Sequence, residues 1–186
     1  MRVPLAPGQA SSSTSSAASR SGRLSAAVYR GRVAAQESDD TVTIEIVETL
    51  DDAVRAAVER LLPQLSRSAT FSEQTLAWVV AHEATTLFVA KVGGDVVGAL
   101  TLVMYPLPTG LRAHVDDVVV DDAVRGRGVG EALVRAGVDR AVEVGARTVD
   151  LTSRPSRESA IRLYERVGFV RRDSTLFRWT PPGNEA

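Results

Sequence analysis

The amino-acid sequence predicts a layered α/β domain built around one mixed β-sheet whose first half is antiparallel. Two observations support this fold class. Short apolar or alternating segments, typical of strands, lie between segments in which apolar residues recur at helical spacing. Two early strand segments are joined by Gly93-Gly94, a hairpin signal, whereas the later strands are separated by whole helices, as in parallel crossovers.

The first part of the domain is predicted to contain one strand and two helices. Apolar and polar residues alternate along residues 42–47, as in a half-buried strand. A helix is expected to begin after Asp51 and to stop at Pro63, because proline cannot donate a helical hydrogen bond. Thr70 and Glu73 have the spacing of a capping box and predict the start of the second helix.

The remaining strands follow from β-branched or apolar runs bounded by turn residues. In chain order, these predicted strands span residues 87–92, 96–104, 114–120, 148–151 and 169–179. Pro106, Pro108 and Gly110 are expected to break the chain between the second and third of them. A helix ending at Gly168 separates the last two.

One segment of strand, glycine-rich turn and helix carries the clearest functional signal. The strand ends at Val120, and the helix has an apolar stripe and ends at Gly145, which suits a left-handed C-terminal residue. The first turn of a helix leaves backbone N–H groups unpaired and partly positive, and glycines let a phosphate approach them. Arg125 and Arg127 can add charge-assisted hydrogen bonds. The segment therefore predicts an anion site, with a ligand-free tight turn as the alternative.

The spacing of this loop excludes two common phosphate motifs. A P-loop needs a Gly-Lys-Ser/Thr sequence, and the loop contains no lysine. A dinucleotide fingerprint needs G-x-G-x-x-G, but counting from Gly126 and Gly128 places Glu131 where the third glycine belongs. The ligand is therefore expected to be a different phosphate-bearing molecule.

Two motifs resemble the GNAT family of N-acetyltransferases. Arg125-x-x-Gly128-x-Gly130 resembles the family's acyl-CoA pyrophosphate loop, and residues 160–169 resemble its A-x-x-L-Y-x-x-x-G-F segment. The resemblance covers about residues 41–179. It implies the acetyltransferase fold, a mixed sheet of about six to seven strands flanked by about four helices. It also implies acetyl-CoA as co-substrate, no metal, and transfer of the acetyl group to a primary amine by direct attack in a ternary complex.

The resemblance also assigns residues to the acetyl-CoA site. In the family the strand before the loop splays from its neighbour, and its backbone N–H groups, here those of Val118 and Val120, meet the pantetheine and the thioester oxygen. The expected cofactor-binding residues are Val118, Val119, Val120, Arg125, Gly126, Arg127, Gly128, Val129 and Gly130.

Tyr164 matches the tyrosine that the family commonly uses as general acid for the leaving thiolate. A phenol with a pKa of about 10 stays protonated at neutral pH and can donate. The alternative is a core tyrosine, because Tyr164 shares a helical face with apolar residues.

Asp116 is the candidate base. Residues 113–120 resemble the corresponding strand of glucosamine-phosphate acetyltransferases, in which an acidic residue at this position helps to deprotonate the amine. Strand alternation places Asp116, His114 and Val118 on one face and Asp117 on the other. Asp116 could equally cap a turn or pair with an arginine, and some family members need no dedicated base.

The resemblance also implies that the acceptor binds near residues 63–71 and 105–112, which offer Phe71, Tyr105 and Arg112 as contacts. A small-molecule amine, a protein lysine and a protein N-terminus all remain open. A non-catalytic acyl-CoA-binding sensor is the competing function. Arg157 stands where relatives often carry an asparagine that contacts pantetheine, so that role is not transferred; the arginine is expected to reach a phosphate or solvent.

Composition limits the remaining functions. With 186 residues, a net charge of −1, no cysteine and two histidines, the chain offers no thiolate nucleophile, no disulfide, no evident metal site and no basic field for nucleic acid. No apolar run approaches the ~18 residues that cross a membrane. A cytoplasmic location is expected, and a homodimer is left open.

Residues 1–40 form a separate segment that is rich in serine and arginine. Such a composition buries too little apolar surface to offset ordering entropy, so the segment is predicted to be a disordered tail. An organellar targeting peptide and a start codon placed too far upstream are the alternatives. The acetyltransferase domain is predicted to span residues 41–180, and 181–186 to form a short C-terminal tail.

Overall fold

The computed structural model describes residues 41–66 and 68–183, so the predicted tail at residues 1–40 lies outside the described part. A single turn of 3₁₀-helix, Asp122–Val124, lies between the fourth strand and the third helix. The main elements are β1 (Thr43–Ile46), α1 (Asp52–Leu65), α2 (Glu73–Ala81), β2 (Thr85–Val92), β3 (Asp95–Leu107), β4 (Gly110–Val120), α3 (Val129–Val144), β5 (Val149–Leu151) and α4 (Glu158–Val167).

The described strands form one sheet in the order β1-β2-β3-β4-β5. The first four pair antiparallel and β5 joins β4 in parallel, so the predicted layered α/β class with an antiparallel first half is confirmed. The sheet has five strands within the described residues, fewer than the six to seven expected. The predicted strand at residues 169–179 does not form; β5, at the edge of the sheet, spans only three residues and offers few backbone groups for a further strand.

Two helix boundaries differ from the prediction. Pro63 does not stop α1, which continues to Leu65; proline near the helix end disturbs few hydrogen bonds, since little helix follows it. Ser72, and not Thr70, caps α2 by accepting from the backbone N–H of Thr75 at 3.2 Å. Two hydroxyl residues lie within one turn here, and the sequence alone does not show which one caps.

The predicted break at Pro106 is also absent. β3 runs through this residue, which pairs with Leu111 of β4. Proline is tolerated because pairing of β3 with β2 ends at Val103, so Pro106 lies where β3 has a neighbour on one side only. The turn follows at Pro108 and Thr109, and β4 begins at Gly110, whose φ is 120°; a Cβ there would lie 2.5 Å from Cδ of Arg147.

The sheet separates two apolar cores. On one face, α3 and α4 pack over a cluster that includes Leu100, Leu102, Val115 and Leu133. On the other face, α1 and α2 cover a cluster that includes Leu61. The two layers meet at the carboxyl end of β4, and the candidate site lies there.

Candidate active site

An open groove lies at the carboxyl end of β4. Strands β4 and β5 pair only at residues 113–115 and 149–151, so within the described residues β4 has no strand neighbour on this side beyond Val115. The resulting groove has a volume of about 510 Å³. Its walls include Asp116, Val118, Ser153, Arg154, Arg157 and Tyr164.

A β-bulge shapes this end of β4. Ala99 pairs with Val119 and Thr101 with Asp116, so Asp117 and Val118 together face the single residue Leu100. Asp117 has a φ of 49°, a conformation uncommon for residues other than glycine.

Beyond the bulge, the side chains of β4 lie on the opposite faces of the sheet from those predicted. An extra residue reverses the alternation of side chains, so Val118 packs on the α3 face with Val115, while Val119 packs on the α1 face. The prediction that Val118 shares a face with His114 and Asp116 is therefore wrong.

The glycines of the loop before α3 have two different roles. Gly126 and Gly128 have φ values of 81° and 80°, and a Cβ on either would meet no protein atom within 4 Å. Gly128 also begins α3 without any side-chain cap, so the backbone of the first turn is open to a ligand. At Gly130 a Cβ would lie 3.0 Å from Cδ1 of Leu163 in α4, so this glycine permits close packing of α3 on α4.

Among the other residues predicted to bind acetyl-CoA, the arginines are exposed and two of the valines are buried. Arg125 and Arg127 are exposed beside the loop, and Arg125 pairs with Asp122 at 2.5 Å. Val129 is 1% exposed, and Val119 is also buried, so neither side chain can reach a ligand. Any contact from these two valines with acetyl-CoA would have to be made by their backbone.

Two residues of α1 that no sequence pattern predicted hold the loop in place. Arg60 donates to the Val96 carbonyl at 2.8 Å and also bonds the carboxylate of Asp121. The side-chain oxygen of Gln64 accepts from the backbone N–H of Asp122 at 2.9 Å. Partners this distant in sequence leave no local pattern, so they could be found only from the structure.

Glu131 places a carboxylate in the first turn of α3. Its oxygens accept from Arg135 at 2.9 Å and from Arg166 of α4 at 3.3 Å. The hydrogen bond from Arg135, followed by that from Arg166, lowers the pKa of Glu131 below its ordinary value. Both cations offset a negative charge that would otherwise oppose an anion at this helix end.

Tyr164 is half-buried and lines the groove, with its ring packed edge-on against Phe169 at 6.1 Å between centroids. Burial, and more weakly the charge of Asp116, raise the pKa of the phenol above 10, whereas Arg157 opposes the rise. The hydroxyl has no hydrogen-bond partner among residues 41–66 and 68–183. Tyr164 is therefore a protonated donor at neutral pH that faces the groove.

Two adjacent aspartates line the groove next to Tyr164. Oδ1 of Asp116 accepts from the backbone N–H of Asp117 at 3.0 Å. Asp117 has a raised pKa, chiefly because the surrounding protein desolvates its carboxylate and secondly because Asp116 is negatively charged. Unbroken alternation would point Asp117 away from Asp116, so the sequence did not predict it as a site residue; only the bulge brings it to the same groove.

Arg157 is exposed to solvent and lines the groove, and it also makes a contact that the sequence did not predict. Its Nη2 donates to the carbonyl of Leu65 at 2.7 Å, which links the start of α4 to the end of α1 across the groove. Nearby, the hydroxyl of Ser153 is buried and has no partner within the described part of the chain. An unmet polar group at the wall of the groove is consistent with a polar ligand there.

The three residues predicted to contact the acceptor do not lie together in the structure. Phe71 lines a second cavity beneath α1 and α2. Tyr105 and Arg112 pair with each other near the far end of the β3–β4 hairpin, where Arg112 donates to Thr148 at 2.9 Å, and they line neither cavity.

No cluster of three or more potential metal ligands occurs in residues 41–66 and 68–183. In the same residues, no helix combines the length and apolarity needed to cross a membrane.

Comparison with known proteins identifies the family. The sequence pattern of the acetyltransferase (GNAT) family matches residues 50–169. The chain is 32% identical over 152 residues to N-alpha-acetyltransferase 30 of Xenopus laevis, a match that covers 81% of this chain and 54% of the relative. It is 31% identical over 138 residues to glucosamine 6-phosphate N-acetyltransferase of Trypanosoma brucei brucei, covering 70% of this chain and 91% of that protein.

A solved structure shares the fold. The transcriptional regulator from Bacillus halodurans C-125 superposes with a TM-score of 0.64 at 25% identity, over 74% of this chain and 99% of its own. The chain spans only about half of the Xenopus relative and 38% of the human one. These matches, the two motifs and the groove at the carboxyl end of β4 together show that the chain belongs to the GNAT family of acetyltransferases.

Proposed function

We propose that this protein is an N-acetyltransferase that moves the acetyl group of acetyl-CoA to a primary amine by direct attack in a ternary complex. The observation that carries the proposal is one continuous structural unit. A helix start exposed by Gly126 and Gly128 follows directly on a strand that leaves its neighbour and opens a groove beside Asp116 and Tyr164.

The donor is proposed to bind with its pyrophosphate on the first turn of α3. The positive φ values of Gly126 and Gly128 and the free space around them leave the backbone accessible. Arg125 and Arg127 add positive charge. The pantetheine arm would then follow β4 past Val120 and Val118, the cofactor-binding residues proposed from the family resemblance.

The transfer needs an uncharged amine, a polarised thioester and a proton for the departing thiolate. The amine nitrogen attacks the thioester carbonyl, the C–S bond breaks, and the products are an amide and the free thiol of CoA. Tyr164 is proposed to supply the proton to the thiolate, since its raised pKa keeps it protonated at neutral pH. No cysteine is present in the sequence to carry the acetyl group as a thioester.

Asp116 is proposed to accept the proton that the amine loses. It lines the same groove as Tyr164, and its negative charge contributes to the raised pKa of that phenol. A backbone N–H donates to its Oδ1, which leaves the other carboxylate oxygen for a water or an amine.

The acceptor class stays open between a small molecule and a protein amine. One relative is named as an N-alpha-acetyltransferase and another as a glucosamine 6-phosphate N-acetyltransferase. A metal-free reaction and a cytoplasmic location remain predictions from the sequence, and a homodimer is left open.

Release of free CoA thiol in the presence of a panel of primary amines tests the function. An enzyme should release thiol only with particular amines and should yield a product heavier by one acetyl group. Binding of acetyl-CoA without amine-dependent thiol release across the panel would favour the competing function, a non-catalytic sensor.

A further inference from the structure

A second cavity lies between the sheet and the two helices that cover its other face. It has a volume of about 190 Å³ and is lined mainly by apolar side chains. For scale, an apolar cavity of about 150 Å³ can hold a benzene molecule. Its walls include Leu61, Leu62, Leu65, Phe71, Val79 and Asp117.

This apolar cavity adjoins the groove at two shared residues. Leu65 and Asp117 line both spaces, so the bulge of β4 stands at their junction. A molecule whose reacting nitrogen lies beside Asp116 and Tyr164 could therefore extend past Asp117 beneath α1 and α2.

The chemistry of the junction favours a particular kind of molecule. An apolar wall favours burial of an aliphatic group, whereas the carboxylate of Asp117, at the junction of the two spaces, favours a cation. Asp117 has a positive φ of 49° in the bulge, and residues other than glycine in this conformation cluster at functional positions. Between its pyrophosphate and its thioester acetyl-CoA carries no positive charge, so the cation has to belong to the acceptor.

We propose that the acceptor is a primary amine bearing an aliphatic substituent of about the size of a leucine side chain, with the substituent in the apolar cavity and its ammonium form bound by Asp117 before deprotonation. This inference rests on the proposed function. The shared chemistry could come from a free small amine or from the first residue of a peptide.

Two pairs of acceptors test the proposal and distinguish these sources. Glycinamide and leucinamide are free amines that differ only in the isobutyl group. Two tetrapeptide amides that differ only in a first residue of glycine or leucine provide the second pair. The wild-type protein should show a kcat/KM at least about tenfold higher for the leucine member of one pair, the scale on which an apolar pocket separates such substrates.

Variants of α2 locate the effect. Val79→Phe fills the cavity and should reduce the ratio of kcat/KM for leucinamide to kcat/KM for glycinamide to within about threefold. Val79→Ala enlarges the cavity and should shift preference toward phenylalaninamide; it keeps the test available if the larger substitution prevents folding. Ala77→Phe, on the exposed side of the same helix, is the matched control and should behave as wild type.

These experiments distinguish failure of the acceptor proposal from failure of the proposed function. Equal kcat/KM for glycine and leucine members of both pairs, or an equal loss for both members in Val79→Phe, would overturn the proposal while leaving acetyl transfer intact. Absence of thiol release with every amine, although acetyl-CoA binds, would instead overturn the proposed function on which it rests.

Discussion

The two ends of the groove are built in different ways. The donor end is made of backbone: Gly126 and Gly128 expose the start of α3, and Arg60 of α1 fixes the loop from a distance. The transfer end is made of side chains, Asp116, Asp117 and Tyr164, presented by a bulged strand and a helix. Backbone recognition suits a donor of constant chemistry, whereas side chains can be exchanged to suit different acceptors without altering the donor site.

The largest effect is expected at the donor end, from Gly128→Asp. The substitution places a Cβ and a negative charge where the pyrophosphate is proposed to lie, so acetyl-CoA binding should fall below detection in calorimetry. Gly145→Asp is the matched control, because Gly145 ends the same helix with a similar φ of 89° and similar free space. Equal affinity in both folded variants would remove the donor-site assignment.

At the transfer end, Tyr164→Phe should reduce kcat by about 10²-fold or more, the scale of a positioned general acid. The acetyl-CoA dissociation constant should stay near the wild-type value, because the donor end is untouched. Tyr105→Phe removes a hydroxyl that lines neither cavity and should have no effect. Turnover of Tyr164→Phe within about threefold of wild type would leave the general acid unassigned.

A smaller effect is expected from Arg60→Met, which removes the tie between α1 and the loop. The loop should become less well positioned, and acetyl-CoA should bind about threefold to tenfold more weakly. Because Arg60 touches neither substrate in this scheme, kcat at saturating acetyl-CoA should remain near wild type. A lower kcat with unchanged affinity would contradict a purely positioning role.

The smallest effect is on stability, from Asp117→Asn. Burial raises the pKa of Asp117, so the folded state holds its proton more tightly than the unfolded chain, and stability falls as pH rises from 3.8 through that raised pKa. Asparagine tolerates the positive φ and avoids the charge. The variant should therefore melt at a higher temperature than wild type at pH 7, and the difference should vanish below the ordinary carboxyl pKa. A lower melting temperature at pH 7 would contradict this explanation.

The two ends also differed in how far the sequence predicted them. Gly128 and Gly145 both have the left-handed backbone conformation that favours glycine. Their positions in the sequence therefore predicted the loop and the end of α3. The face of Val118 was mispredicted, since alternation carries no sign of an inserted residue. The partners of Arg60 and Arg157 are set by how α1 packs against distant segments, which local patterns do not encode.

Initial rates of CoA release, with acetyl-CoA and an accepted amine both varied, test the central claim most directly. If donor and acceptor occupy the two ends of the groove together, double-reciprocal plots should give intersecting lines, and no acetylated enzyme should be detected by mass spectrometry. Parallel lines, with an acetyl group found on the protein in the absence of amine, would show a covalent intermediate and contradict direct transfer.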